Sequence, residues 1–178
     1  MRDYDGILTL VAAFLNREKA EYMLVGAVAV SCYGTPRTSE DIDIVVVLGD
    51  EGVRRFVAFL RKNDFSVSER DIAGAFAQRS HFTVFDRRSL FRLDIKGAYG
   101  EFDRLSLSRR RKVKALGMAL WLCSPEDCIL SKLEYGSLKG VSDISSIIRR
   151  RGRKLDRAYM LRQSKRMGTA AKLLKLLR

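Results

Sequence analysis

Two carboxylates, Asp41 and Asp43, stand two residues apart where an apolar, β-branched run at 42–47 begins. Because alternate residues of a strand point to the same face, both carboxylates are predicted to project from one side of a strand. Two such carboxylates repel each other unless a divalent cation or a cationic side chain lies between them. The pair therefore predicts either a metal site or a solvent-facing strand end with a turn aspartate.

The segment before the aspartates has the features of a phosphate-binding turn. Residues 22–25 form a short apolar run that predicts a buried strand, and Gly26 and Ala27 follow at a sharp turn that opens a helix. A glycine there lets the main chain approach a polyphosphate closely, and the helix N-terminus supplies amide donors and a favourable dipole. Arg37 and Thr38 add a cation and a hydroxyl to the loop that leads to the aspartates.

Hydrophobic spacing and turn residues predict the elements that must position these groups. Helices are predicted at 7–17, 27–33, 51–63, 71–78, 143–150, 155–167 and 169–177, and strands at 22–25, 42–47, 65–68, 81–85, 91–95 and 119–123. Ser124 and Pro125 are typical of a helix start, with a capping hydroxyl and proline at the first helical position. The order predicts an α+β catalytic domain at 1–124 and a basic helical region at 125–178.

The positive charge of the chain is concentrated in two segments. The 178 residues carry a formal net charge of +13 at pH 7. Residues 149–178 hold twelve Lys or Arg and one acid, and residues 104–114 hold six Lys or Arg and no acid. Such segregation favours an anionic macromolecular partner, most simply nucleic acid, because phosphate contacts dominate that affinity. The alternative is a solvated basic helix face.

Several other classes of protein are excluded by composition and motif. No uninterrupted apolar run reaches the roughly 18 residues that span a bilayer, and Asp3 and Asp5 stand where a signal peptide carries positive charge. Three cysteines without metal-binding spacing indicate free thiols in a reducing compartment, so we expect a cytoplasmic protein without membrane contact. The single histidine, His81, has no nucleophile elbow beside it, and no Walker A loop is present.

The combination of motifs resembles the DNA polymerase β superfamily of nucleotidyltransferases. The stretch LVGAVAVSCYGTPRTSEDIDIVV is similar to the family's Gly-Gly or Gly-Ser turn followed by a strand with Asp-x-Asp. It looks most like the branch that includes the nucleotidyltransferase toxins of bacterial abortive-infection systems and their uncharacterised prokaryotic relatives. The stretch SPEDCILSKLEYG, with Asp143 after it, is similar to a second pattern of that branch. The resemblance covers roughly residues 22–148.

The resemblance implies a fold and a metal site. The expected fold is a small mixed sheet flanked by helices, with a C-terminal helical extension. Asp41, Asp43 and Asp94 would hold Mg²⁺ against a nucleoside triphosphate, and Asp94 would also orient or deprotonate the attacking hydroxyl. Lys132 would face the triphosphate as a further catalytic residue. Asp94 could instead be a hairpin aspartate paired with Arg92 or Lys96, and Lys132 a solvated side chain.

A nucleotide-binding set is implied in the same way. It comprises Gly26, Ala27, Arg37, Thr38 and Asp143. The chain departs from the family at Ala27, which keeps the main-chain amide but lacks the hydroxyl of the family's serine. Asp143 could instead cap a helix after Ser142 or pair with Lys139.

The leading hypothesis is a Mg²⁺-dependent enzyme that moves a nucleoside monophosphate from an NTP to an acceptor. The acceptor would be RNA such as tRNA, bound by the basic C-terminal helices and by Arg104 to Lys114, and the resemblance implies a link to toxin–antitoxin systems. A metal-dependent nuclease would use the same carboxylates to activate water. A third hypothesis is a non-catalytic nucleic-acid-binding or antitoxin-like module on a degenerate nucleotidyltransferase fold.

Overall fold

The computed structural model describes residues 2–177 as a mixed sheet with helices on both faces. Strands β1 to β7 are Glu21–Leu24, Asp41–Val47, Phe65–Ser66, His81–Asp86, Arg92–Gly97, Arg111–Ala115 and Met118–Leu122. Helices α1 to α9 are Tyr4–Arg17, Gly26–Tyr33, Asp50–Lys62, Glu69–Ala77, Glu101–Ser108, Pro125–Tyr135, Leu138–Arg151, Arg157–Arg166 and Ala170–Leu176. The predicted α+β class, with a mixed sheet flanked by helices, is confirmed.

The sheet places β2, the strand of the aspartate pair, near its centre. Within the described residues the strand order is β3-β4-β5-β2-β1-β7-β6. The pairs β2·β5 and β1·β7 are parallel, and the remaining neighbours are antiparallel. The predicted hairpin of β4 and β5 is therefore confirmed, and it delivers β5 to the edge of β2.

The two faces of the sheet differ in polarity. Leu93 and Ile95 of β5 are fully buried, and they share a face with Phe82 of β4, which packs edge to face on Phe76 of α4. Helices α1 and α3 belong to the same layer, and three of their phenylalanines stack on one another. The opposite face of β2 and β5 carries the alternating, partly exposed polar residues. One face thus forms core, and the other remains available for chemistry.

Two elements lie in or beside the basic segment 104–114, where the sequence predicts none. Helix α5 and strand β6 fill this region, and β6 pairs antiparallel with β7 across a turn at Gly117. Strand β6 is an edge strand, and its Arg111, Lys112 and Lys114 are exposed. An edge strand covered with charge has no apolar run, so periodicity does not reveal it.

Helix α7 begins at Leu138 rather than at Asp143, which corrects the prediction. Ser137 is its N-cap, and the Ser137 hydroxyl accepts a hydrogen bond of 3.0 Å from the Gly140 amide. Asp143 lies inside the helix and is buried, so it does not act as a cap. Leu138 and Val141 of the first turn are exposed, so the buried apolar residues of the helix begin only near Asp143.

One apolar core joins the first 124 residues to the helices that follow. Ile129 and Leu130 of α6 and Met160 of α8 are completely buried in the same cluster as Leu24 and Ile44 of the sheet. None of the helices within residues 2–177 has the length and the apolar character that crossing a membrane requires. The boundary between 124 and 125 stays a prediction.

Candidate active site

Asp41, Asp43 and Asp94 project from one face of two neighbouring strands. The parallel register of β2 and β5 sets Asp43 beside Asp94, and Asp41 beside Arg92. The buried residues between them point to the other face, so the polar side chains share one surface. The Thr83 hydroxyl on β4 donates a 2.6 Å hydrogen bond to Asp94 Oδ1 and fixes that carboxylate.

The glycine turn lies directly against Asp43. Gly26 has φ +54°, and a Cβ atom at this position would stand 1.8 Å from Asp43 Oδ2. The Val25 amide also donates a 3.0 Å hydrogen bond to the Asp43 carbonyl. Within residues 2–177, no side chain caps α2 and its first turn holds no acid, so its first amides can receive an anion. Only glycine allows this approach of main chain to carboxylate.

A cavity of about 480 Å³ covers the site, between the polar face of the sheet and helices α5 and α6. Five of the nine site residues predicted from the sequence line it: Gly26, Arg37, Asp43, Asp94 and Lys132. Its remaining polar lining includes His81, Lys96, Asp103, Ser106, Asp127 and Ser131. The cavity thus brings carboxylates, cations and the glycine turn around one space.

The other four predicted residues lie outside this cavity. Thr38 and Asp41 line a second, more open cleft together with Arg92 and Lys139. Ala27 is almost fully buried in α2, so only its main chain can reach a ligand. Asp143 does not line the cavity, but it contacts Lys132 and Arg37, which do.

Asp143 holds Lys132 and Arg37 in place. Lys132 Nζ lies 2.8 Å from Asp143 Oδ2, and Arg37 Nε lies 3.2 Å from Asp143 Oδ1. The Asp143 side chain is 7% exposed and that of Lys132 is 16% exposed, so neither is a freely solvated surface group. The carboxylate therefore fixes two cations of the cavity wall, which come from distant parts of the chain.

The sequence prediction missed the roles of Arg92 and Lys96. Arg92 Nη2 lies 2.5 Å from Asp41 Oδ1, while its Nε is 3.9 Å from the nearest oxygen of Asp94. Lys96 pairs with Asp103 of α5 at 2.8 Å rather than with Asp94. The alternation of charge at every second residue of β5 was the available signal, because it puts all three side chains on one face.

Asp43 and Asp41 differ from freely solvated carboxylates. Burial, followed by the neighbouring charges of Asp94 and Asp41, raises the pKa of Asp43, and Lys132 and Arg37 oppose this shift. Asp41 Oδ1 is buried, and its close contact with Arg92 does not have the geometry of a hydrogen bond. Within residues 2–177 this oxygen therefore has no hydrogen-bond partner. Carboxylate oxygens in this state fit a hard divalent cation such as Mg²⁺. In this conformation of residues 2–177, however, no three acidic, His or Cys side chains converge tightly enough to ligate one ion.

No protein-family model matches the sequence, and the search of curated proteins gave no match. Solved structures, in contrast, are similar over nearly the whole chain. An antigenic nucleotidyltransferase-like protein from Paracoccidioides brasiliensis is 21% identical with a TM-score of 0.64, over 96% of this chain and 86% of that one.

The antibiotic-resistance factor ANT(2'')-Ia is similar to the same extent in shape. Its solution structure is 13% identical with a TM-score of 0.64, over 96% of this chain and 95% of that one. Its crystal structure in complex with adenylyl-2''-tobramycin gives 13% identity and a TM-score of 0.64, over 91% of this chain and 96% of that one. The chain therefore has the nucleotidyltransferase fold, and the resemblance inferred from sequence motifs is confirmed at the level of fold.

Proposed function

We propose that this chain uses its nucleotidyltransferase fold to transfer a nucleoside monophosphate from an NTP to a hydroxyl group of RNA, with Mg²⁺ as cofactor. The observation that carries the proposal is the in-register pair Asp43 and Asp94, which faces the Gly26 turn inside one cavity. Lys132 and Arg37 add positive charge to the same cavity. Carboxylates that hold a metal, beside amides and cations that bind phosphates, are what phosphoryl transfer requires.

Each group has a role in this proposal. Asp41, Asp43 and Asp94 would hold Mg²⁺, which when bound neutralises the phosphates and polarises the α-phosphorus. The amides that follow Gly26 donate to the triphosphate at the N-terminus of α2. Lys132, fixed by its ion pair, neutralises the departing pyrophosphate.

The transfer step needs one proton acceptor from the protein. The acceptor oxygen forms a bond to the α-phosphorus while the bond to pyrophosphate breaks, and pyrophosphate leaves with that electron pair. The proton of the attacking hydroxyl passes to Asp94 Oδ2, the carboxylate oxygen that does not accept the Thr83 hydrogen bond. The hydrogen bond from Thr83 to the other oxygen of Asp94 keeps the carboxylate oriented for this step.

RNA as the acceptor is supported by the way the two basic segments meet. The Arg109 guanidinium lies 3.6 Å from the centre of the Tyr159 ring, and the Tyr159 hydroxyl donates a 2.5 Å hydrogen bond to Asp127 in the cavity wall. Helix α8 is thereby fixed beside the segment 104–114. The Arg and Lys side chains of α8 and β6 are exposed. Exposed positive charge on these two elements favours a polyanion as the partner.

The direct test uses NTPs labelled at the α-phosphate, Mg²⁺ and total RNA. We expect label to enter RNA, and we expect none with tobramycin as the acceptor. Transfer to tobramycin but not to RNA would retain the enzyme class and contradict the acceptor. Shortening of the RNA without any NTP would instead identify a nuclease. RNA binding with no transfer under any NTP would identify a non-catalytic module.

Charge reversal on α8 should weaken RNA binding without altering the cavity. We expect the double change Arg162→Glu and Lys165→Glu to lower RNA affinity by about tenfold and to reduce the slope of log affinity against log salt by about one to two units. Both side chains are exposed. Filter binding or fluorescence anisotropy over a salt series would measure the slope.

The matched control reverses two exposed charges on the opposite layer, Arg61→Glu and Lys62→Glu in α3. It changes the net charge of the chain by the same amount. An equal loss of affinity in both double variants would show that RNA responds only to net charge, and the assignment of the α8 surface would then be wrong.

A further inference from the structure

Arg92 occupies one corner of a square of charged side chains on the polar face of the sheet. The parallel register places Asp41 beside Arg92 and Asp43 beside Asp94. Neighbouring strands lie about 4.8 Å apart and alternate residues of a strand about 6.7 Å apart, so the four side chains surround a small area. Three corners are negative, and the fourth is a guanidinium.

The contacts of this guanidinium are spread over three carboxylates, and only one is close. Arg92 Nη2 is 2.5 Å from Asp41 Oδ1, whereas Glu40 and Asp94 are each 3.9 Å from the nearest Arg92 nitrogen. The close contact is an ion pair whose geometry is not that of a hydrogen bond. The buried Asp41 Oδ1 therefore has no hydrogen-bond partner within residues 2–177. Arg92 therefore compensates part of the negative charge of these carboxylates without forming hydrogen bonds to their oxygens.

We propose that Arg92 is a resident counter-cation of the carboxylate site, and that a divalent cation binds there only by displacing the Arg92 guanidinium. The inference rests on the metal site of the proposed function. A divalent ion and the guanidinium both need Asp41 Oδ1 and the space between Asp41 and Asp94, and two cations at that distance repel each other. Displacement requires no change of backbone, because Arg92 is 35% exposed and already lines the open cleft with Lys139.

The test measures Mn²⁺ binding without nucleotide, by electron paramagnetic resonance of free Mn²⁺. We expect Arg92→Gln to bind Mn²⁺ on the order of tenfold more tightly than the wild type, because a competing charge is removed. The Mn²⁺ affinity of Arg92→Lys should lie between those of the wild type and Arg92→Gln, since lysine keeps the positive charge but lacks the planar guanidinium group. The matched control is Arg88→Gln, in the turn before β5, where the arginine pairs with Asp64 away from the site. It should leave Mn²⁺ affinity unchanged.

A second readout uses the unaltered chain and therefore does not depend on how well a variant folds. Phenylglyoxal modifies accessible guanidinium groups, and peptide mass spectrometry reports each arginine separately. We expect saturating Mn²⁺ to increase modification of Arg92 severalfold while that of Arg88 stays constant.

Two results would overturn the inference. One is Mn²⁺ affinity that is equal or weaker in Arg92→Gln, because Arg92 would then order Asp41 for the metal rather than compete with it. The other is unchanged modification of Arg92 at saturating Mn²⁺. Either result leaves label transfer from NTP to RNA as a separate question, so failure of this inference is distinguishable from failure of the proposed function.

Discussion

Asparagine in place of Asp43 should lower the rate of nucleotidyl transfer by about 10³-fold and, at neutral pH, make the fold more stable. The loss of activity follows because a neutral amide cannot serve as the anionic metal ligand that faces the Gly26 turn. The gain in stability follows because burial and two neighbouring carboxylates raise the pKa of Asp43, so its ionised form opposes folding. Transfer rates and thermal unfolding of the two proteins would measure both effects.

The stability effect has a defined dependence on pH. A carboxyl whose pKa is higher in the folded chain than in the unfolded chain loses stabilising free energy as pH rises from the unfolded value through the folded one. The variant should therefore have the higher Tm at pH 7, and the difference should vanish near pH 3, where Asp43 is protonated in both states. Asp41→Asn is the matched control. It should lose activity without gaining stability, because Asp41 is paired with Arg92. A lower Tm for Asp43→Asn at pH 7 would contradict the electrostatic account.

Alanine in place of Gly26 should remove most of the activity and also destabilise the fold. The new Cβ would lie 1.8 Å from Asp43 Oδ2, so the carboxylate must move out of register with Asp94. The left-handed backbone at φ +54° adds about 1–2 kcal/mol of strain for any residue with a side chain. We expect at least a 10²-fold loss of transfer rate, since misplacement by 1 Å has effects of this size. Steady-state kinetics and urea unfolding would measure the two effects.

Gly117→Ala separates the effect of backbone strain from the effect of the contact with Asp43. Gly117 has φ +71° in the β6–β7 turn, and no atom lies within 4 Å of a Cβ built there. This control should show the same backbone strain, of about 1–2 kcal/mol, with unchanged transfer. If both glycine variants retained full activity, the contact between the turn and Asp43 would have no role in catalysis.

The parts of the fold that the sequence predicts are those with a strong local pattern. The β-branched run of β2 reflects a strand that is covered on both faces over much of its length. Strands β4 and β5 instead bury every second residue. The sequence predicted all three strands. The glycine turn and the aspartate pair lie at the ends of such strands, so their proximity could also be predicted. The predicted set therefore gave five residues of one cavity from three separate segments.

The missed features depend on contacts between segments that are distant in the sequence. The ion pairs of Asp143 with Lys132 and Arg37 join two helices and the loop between α2 and β2, and no local pattern encodes them. The role of Arg92 follows from the register of β2 against β5, which sequence periodicity does not fix. Strand β6 was hidden for a different reason, since an exposed basic edge has the composition of a loop.

The ion pairs of Asp143 also determine at which step the Lys132 and Arg37 side chains lose conformational entropy, folding or ligand binding. Lys and Arg side chains are among the most flexible, and fixing one at a binding interface costs about 0.5–1.5 kcal/mol. Lys132 and Arg37 are already held within 2.8 and 3.2 Å of Asp143. This part of the ordering cost is therefore met when the chain folds, and a phosphate that enters the cavity encounters two cations whose positions are already set.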